Sequence, residues 1–170
     1  MPSITHCRDD FPILKRPVQN GMPLAFLDNA ASTQRPQSVI NTISECYEKY
    51  YANVHRGIHT LSEESTERYE RSRKSVAKFI GAKHDHEVIY TAGATAAINT
   101  VARSWGRQYL SSGDTILLTI AEHHANIVPW QQLAAEIGFK IEYIPVQDDF
   151  QIQTEAARSL FALLASRRER

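Results

Sequence analysis

The 170-residue sequence predicts an α/β protein. Three observations carry that expectation. Residues 115–120 and 139–144 are short, apolar and β-branched, as strands buried on both faces are. Helical stripes lie between and before them. Gly93 punctuates the step from an extended run at 88–91 into a helix. Strands that alternate with helices are parallel, because a parallel pair needs a crossover long enough to hold a helix.

The elements follow in order. Residues 1–23 contain Pro2, Pro12, Pro17, Gly21 and Pro23, a spacing that forbids a long regular element and predicts an irregular arm. Residues 24–28 form a short extended piece. From Pro36, placed for a first helical turn, Val39, Ile43, Cys46, Tyr47 and Tyr50 recur at helical spacing and predict a helix with one buried face. Thr60 and Glu63 match a capping box, and Tyr69, Val76, Phe79 and Ile80 continue as a sparse stripe that Gly81 ends, so residues 61–80 are a long helix. A strand at 88–91 leads through Ala92 and Gly93 into the stripe Ile98, Val101, Ala102 and Trp105. A turn at 111–114 precedes the strand at 115–120. Trp130, Leu133, Ala134 and Ile137 then mark a helix closed by Gly138, and the strand at 139–144 follows. Ala157, Leu160, Phe161 and Leu164 give a last helix that runs into Arg167, Arg168, Glu169 and Arg170. Two or three strands are few beside the roughly 4 to 6 of an ordinary sheet, so the sequence reads as part of a larger domain.

Composition narrows the function. Nineteen basic residues balance nineteen acidic ones, so no global field favours nucleic acid or an anionic membrane, and an anionic ligand must be held locally. Cys7 and Cys46 are too few and too far apart for a disulfide framework or a cysteine metal site, which suits a reducing cytoplasm. Asp9 and Asp10 stand where a signal peptide needs an apolar core, and no run of about 18 apolar residues appears. A cytoplasmic protein with no membrane segment is expected.

Three stretches could carry chemistry. Thr91-Ala92-Gly93-Ala94-Thr95 opens a helix, where free backbone amides and a threonine hydroxyl make a cup for a phosphate monoester; an ordinary strand-to-helix turn capped by Thr95 is the plain alternative. The cup lacks the lysine of a P-loop and the spacing of a dinucleotide fingerprint. Glu122-His123-His124-Ala125-Asn126 lies at the carboxyl end of a strand, where an imidazole can stack on a planar ring or move a proton, and adjacent histidines cannot both point one way. Zinc is disfavoured there, because no third ligand lies at the usual spacing. His55-Arg56-Gly57-Ile58-His59 reads as a loop that contacts an anion or a second subunit, or as solvated loop charge. Asp28-Asn29-Ala30-Ala31-Ser32 is a turn, or a floor of small residues that brings backbone near a ligand.

Together these stretches resemble the SufS-type cysteine desulfurases, within the class V aminotransferase group of fold-type I pyridoxal phosphate enzymes. The resemblance is carried by Leu27-Asp28 through Ala31, by Tyr51-Ala52-Asn53-Val54-His55-Arg56-Gly57-Ile58-His59-Thr60-Leu61-Ser62, by residues 99–106, and by Glu122-His123-His124-Ala125-Asn126-Ile127-Val128-Pro129-Trp130. It implies a partial fold-type I large domain, a parallel-type sheet with flanking helices, preceded by an arm and helices. The implied layout is an arm at 1–23, a helical segment of the small or dimer region at 24–81, the start of the cofactor-binding domain at 82–150 and a divergent tail at 151–170.

The resemblance also implies roles. Gly93, Ala94 and Thr95 would hold the phosphate of pyridoxal 5'-phosphate, and His123 would stack on its ring. Ala30 and Ala31 would lie near the substrate carboxylate, with His55 and Arg56 near an active site shared across a homodimer. The implied activity converts L-cysteine to L-alanine and an enzyme-bound persulfide passed to a sulfur acceptor for iron-sulfur assembly. Where the family usually has Thr-Thr-Glu, this chain has Ala94-Thr95-Ala96, which implies weaker hold on the cofactor. No catalytic residue of the family is matched in this chain: its Schiff-base lysine and its persulfide cysteine are both absent. Cys46, on the expected buried helix face, is a poor substitute nucleophile. The implied consequences are an inactive or poorly soluble chain, or alternatively a non-catalytic dimerisation or interaction fragment.

Overall fold

The computed structural model describes residues 4–168 and the side chains of 7–162. Residues 1–3 of the expected arm, Pro2 among them, and Glu169 and Arg170 of the tail lie outside the described residues, as do the side chains of Leu164, Arg167 and Arg168. The chain divides into two units, Met1–Val88 and Ile89–Arg170.

In the first unit the arm is built from three 3-10 turns, Ile4–Asp10, Pro12–Lys15 and Gln19–Gly21, as its prolines demand. Arg8 ties them together, its guanidinium donating to the carbonyls of Leu14 at 2.9 Å and Leu24 at 2.8 Å. Residues 24–28 are extended but form no strand, because no described residue pairs with them; the nearest bridge is Pro17 with Pro23. Helix α1 (Gln37–Glu45) starts after Pro36, which caps it rather than entering its first turn, and continues as a π-helical turn over Cys46–Tyr50. The expected buried face is a correction. Ile43 and Tyr47 are largely exposed, Cys46 is only half-buried, and Tyr50 alone is buried.

Helix α2 (Thr60–Ile80) matches the expected span, and its carboxyl end turns out through Gly81 in the left-handed region. The cap is different from the one the sequence suggested. His59, not Thr60, occupies the N-cap, and its Nδ1 accepts from the Ser62 amide at 3.4 Å.

The second unit holds the sheet. Residues 88–91 straddle the unit boundary and do not join it, a second correction: β propensity supplies extended backbone, but a strand also needs a partner. Helix α3 (Ala94–Val101) passes through a π-helical turn, Ala102–Gly106, into the short α4 (Arg107–Tyr109). Strand β1 (Thr115–Thr119), helix α5 (Val128–Ile137) and strand β2 (Lys140–Ile144) form one crossover unit, with β1 and β2 parallel. Helix α6 (Thr154–Arg168) follows. The core lies between α5 and one face of the sheet, where Ala102, Leu118, Trp130, Leu133 and Phe139 are buried and Ile116, Ile137 and Ile141 pack around them. Gly106 lets the backbone come close: a Cβ there would sit 2.8 Å from Leu133 Cδ2 and 3.2 Å from the Trp130 ring.

Candidate functional site

Gly93 adopts φ 139° and ψ 175°, a region open in practice to glycine alone. That conformation turns the chain sharply into α3. The Gly93 carbonyl accepts from the Thr91 hydroxyl at 3.0 Å and from the Ala97 amide at 3.0 Å, which starts the helix. The amides of Ala94, Thr95 and Ala96 take no partner among the described residues. Their N–H groups, the positive end of the helix dipole and the small side chains at 92–94 open into a hollow of about 850 Å³ along one face of α3, lined by Gly93, Ala94, Thr95, Asn99, Arg103 and Ser104. This donor set fits a phosphate monoester. Three free amides and a hydroxyl can donate to its oxygens, and no side chain fills the cradle.

His123 stands beyond β1, exposed, with its Nδ1 accepting from the Ala125 amide at 3.1 Å. That bond leaves Nε2 as the nitrogen that carries the proton in the neutral ring. The His124 ring lies nearly edge-on to it, at 77° and 6.1 Å, so the two imidazoles do not share a plane. His123 is not among the residues that line the hollow, although the 3-10 turn that follows it, His124–Asn126, packs against α3.

What holds this turn escaped the sequence reading. Asn126 donates to Glu122 at 2.9 Å and accepts from the Trp130 indole at 3.0 Å, while Thr119 donates to Glu122 at 3.3 Å. Glu122, Asn126 and Trp130 are four apart, and this spacing was the available signal. The chain of bonds runs from the end of β1 across the His123 turn to the core side of α5.

In the first unit, Ala30 and Ala31 lie in an exposed turn closed by the Ser32 amide on the Asp28 carbonyl at 3.2 Å. His55 adopts φ 62°, and its Nε2 lies 2.8 Å from Glu70 on α2 while its ring meets Tyr69 edge-on at 5.8 Å. Its backbone amide donates to the Thr66 hydroxyl at 3.0 Å. His55 is therefore turned onto α2, though still partly exposed, and Arg56 and Ile58 beside it are exposed. Arg73 closes the same cluster, its guanidinium held above its ordinary pKa by a hydrogen bond to the Tyr69 hydroxyl, opposed by burial and aided by Glu70. Ser62, Ser65 and Thr66 line one face of α2 and bind the loop 51–59 and its approach. Ser62 donates to the Asn53 carbonyl at 2.6 Å and accepts from the Gly57 amide at 3.0 Å, and Ser65 donates to the Tyr50 carbonyl. Among the described residues no group of three His, Cys, Asp or Glu is placed to hold a metal ion.

Residues 25–164 match the family model described as aminotransferase class-V. The chain belongs to that class V aminotransferase family. Within it, the chain is 48% identical over 159 residues to a cysteine desulfurase of Escherichia coli O139:H28 (strain E24377A / ETEC), covering 94% of this chain and 39% of the relative. The apo structure of a cysteine desulfurase from Thermococcus onnurineus NA1 superposes with a TM-score of 0.81 at 36% identity, covering 94% of this chain and 38% of that one. The cysteine desulfurase CsdA of Escherichia coli, solved as an S-sulfonic acid, gives a TM-score of 0.72 at 30% identity over 94% of this chain and 39% of that one. This class V chain thus spans about two fifths of the length of the curated relatives it matches. Its small parallel sheet with flanking helices is a partial fold-type I domain.

Proposed function

We propose that this chain is the cofactor-phosphate-binding portion of a cysteine desulfurase, an enzyme that converts L-cysteine to L-alanine and an enzyme-bound persulfide for iron-sulfur assembly. The observation that carries this reading is the α3 amino terminus. Gly93 in its glycine-only conformation exposes the amides of Ala94, Thr95 and Ala96 to an open hollow. The identity to cysteine desulfurases directs the choice of substrate.

In this reading the three amides and the Thr95 hydroxyl bind and orient the phosphate of pyridoxal 5'-phosphate. His123 covers its ring, with Nδ1 occupied by Ala125 and Nε2–H left as the face or edge donor. When bound, the pyridine ring supplies an electron sink for chemistry at the substrate α-carbon. The turn at Ala30 and Ala31 serves the substrate carboxylate, and His55 and Arg56 serve an active site shared across a homodimer, with His55 holding its loop on α2. The segment 24–81 is the small or dimer region of a homodimer, and 82–150 begins the cofactor domain. The working protein is cytoplasmic and passes its sulfur to an acceptor protein.

The test is a titration of the purified chain with pyridoxal 5'-phosphate and, separately, with pyridoxal. The phosphate ester is expected to bind at least tenfold more tightly, with inorganic phosphate competing. Thr95→Ala should weaken the ester about fivefold, the loss of roughly one hydrogen bond of about 1 kcal/mol, and leave pyridoxal unchanged. Equal affinity for the two would overturn the reading.

A further inference from the structure

The outer edge of β2 is a self-complementary surface. Lys140 donates its amide to the Asp114 carbonyl at 2.9 Å and Ile120 donates to the Ile144 carbonyl at 3.3 Å, so residues 140, 142 and 144 face β1 and the backbone groups of Ile141 and Tyr143 face away. Those outward groups take no backbone partner among the described residues. Lys140 and Glu142 are exposed and, among the described residues, make no ion pair.

We propose that β2 pairs antiparallel with β2 of a second copy of this chain, about a twofold axis between the two Ile141 residues. In this register Lys140 lies opposite Glu142 of the copy, twice, at the non-hydrogen-bonded positions where cross-strand side chains come closest. Ile141 exchanges both backbone bonds with its counterpart, and Tyr143 pairs with the backbone of Phe139 in the copy. Charge selects this register. Moving the axis to residue 142 sets Glu142 against itself, and moving it further brings in Pro145, which has no N–H to give.

The geometry around the edge agrees. The axis is perpendicular to the sheet, so both α5 helices lie on one face of a continuous four-stranded sheet. A crossover helix sits over the middle of its strand pair, and strands are about 4.8 Å apart, so the two α5 axes fall about 10 Å apart, the spacing of packed helices. The surface lies wholly in Ile89–Arg170 and is separate from the segment 24–81 to which the proposed homodimer is assigned.

The experiment is a concentration series of the full chain in sedimentation velocity, with Lys140→Glu, Glu142→Lys, the double exchange and an equimolar mixture of the two single variants. The wild type should show a self-association step that either single reversal weakens at least tenfold. The double exchange should restore it, and so should the mixture, in which each Glu faces a Lys across the axis. Hydrogen exchange should slow at the Ile141 and Tyr143 amides as concentration rises. A wild type with no such step, association indifferent to the single reversals, or protection of those amides only by an added unrelated extended peptide would each overturn the proposal.

Discussion

Ser62 is fully buried, and its hydroxyl is the one group that satisfies both the Asn53 carbonyl and the Gly57 amide. Ser62→Ala leaves both without that partner. The expected cost is about 1 to 3 kcal/mol. Both tryptophans, Trp105 and Trp130, lie in the other unit, so circular dichroism or tyrosine emission during urea unfolding should carry the change while tryptophan emission does not. The His55 to Glu70 pair is partly exposed and weaker, of order 0.2 to 1 kcal/mol. Glu70→Gln should therefore speed tryptic cleavage after Arg56 by up to about fivefold, and an unchanged rate would show that the pair does not hold the loop. These cases show which parts of the site were legible in the sequence. Gly93 and Thr95 are local: a glycine and a hydroxyl at a helix start declare their chemistry within five residues. His55 is not, because its orientation is set by Glu70, fifteen positions away, and by a left-handed backbone that no motif announces.

The elements divide in the same way. α2, α5 and both strands of the sheet were readable, because apolar period and terminal glycines are properties of the segment itself. Residues 88–91 were misread as a strand because pairing is a property of two segments, and α1 was misread as half-buried because periodicity reports a face without saying what covers it. Gly106 is an element-scale case in which two effects oppose. Gly106→Ala improves helix propensity by up to about 1 kcal/mol, but its methyl meets Leu133, which is 3% exposed and has no room to withdraw. Overpacking of a filled core costs about 1 to 3 kcal/mol, so the net effect should be a loss of about 1 kcal/mol in the second unit. Trp130 touches the same methyl, and its emission during urea unfolding is the direct measurement. Leu133→Val added to Gly106→Ala should recover part of the loss; a fully additive double variant would mean that the two side chains do not meet.

At the scale of the whole molecule, charge and apolar exposure act together. The α/β class was legible from alternating strand and helix, but the amount of apolar surface left outside was not, since it depends on packing. Leu27 is 93% exposed, Ile58 99% and Phe79 90%, while the net formal charge is zero and the pI is about 7.1. Near neutral pH the molecules therefore lack the mutual repulsion that would keep such side chains apart. Above the pI the chain becomes net negative, so solubility should rise from pH 7 to pH 9 and fall again when salt screens that charge. Leu27→Ser, Ile58→Ser and Phe79→Ser together remove exposed apolar area without opening a cavity. The triple variant should raise the polyethylene glycol concentration at half-precipitation at pH 7 and leave the melting temperature within a few degrees. A lower melting temperature with no gain in solubility would show instead that these side chains are packed in solution and stabilise the fold.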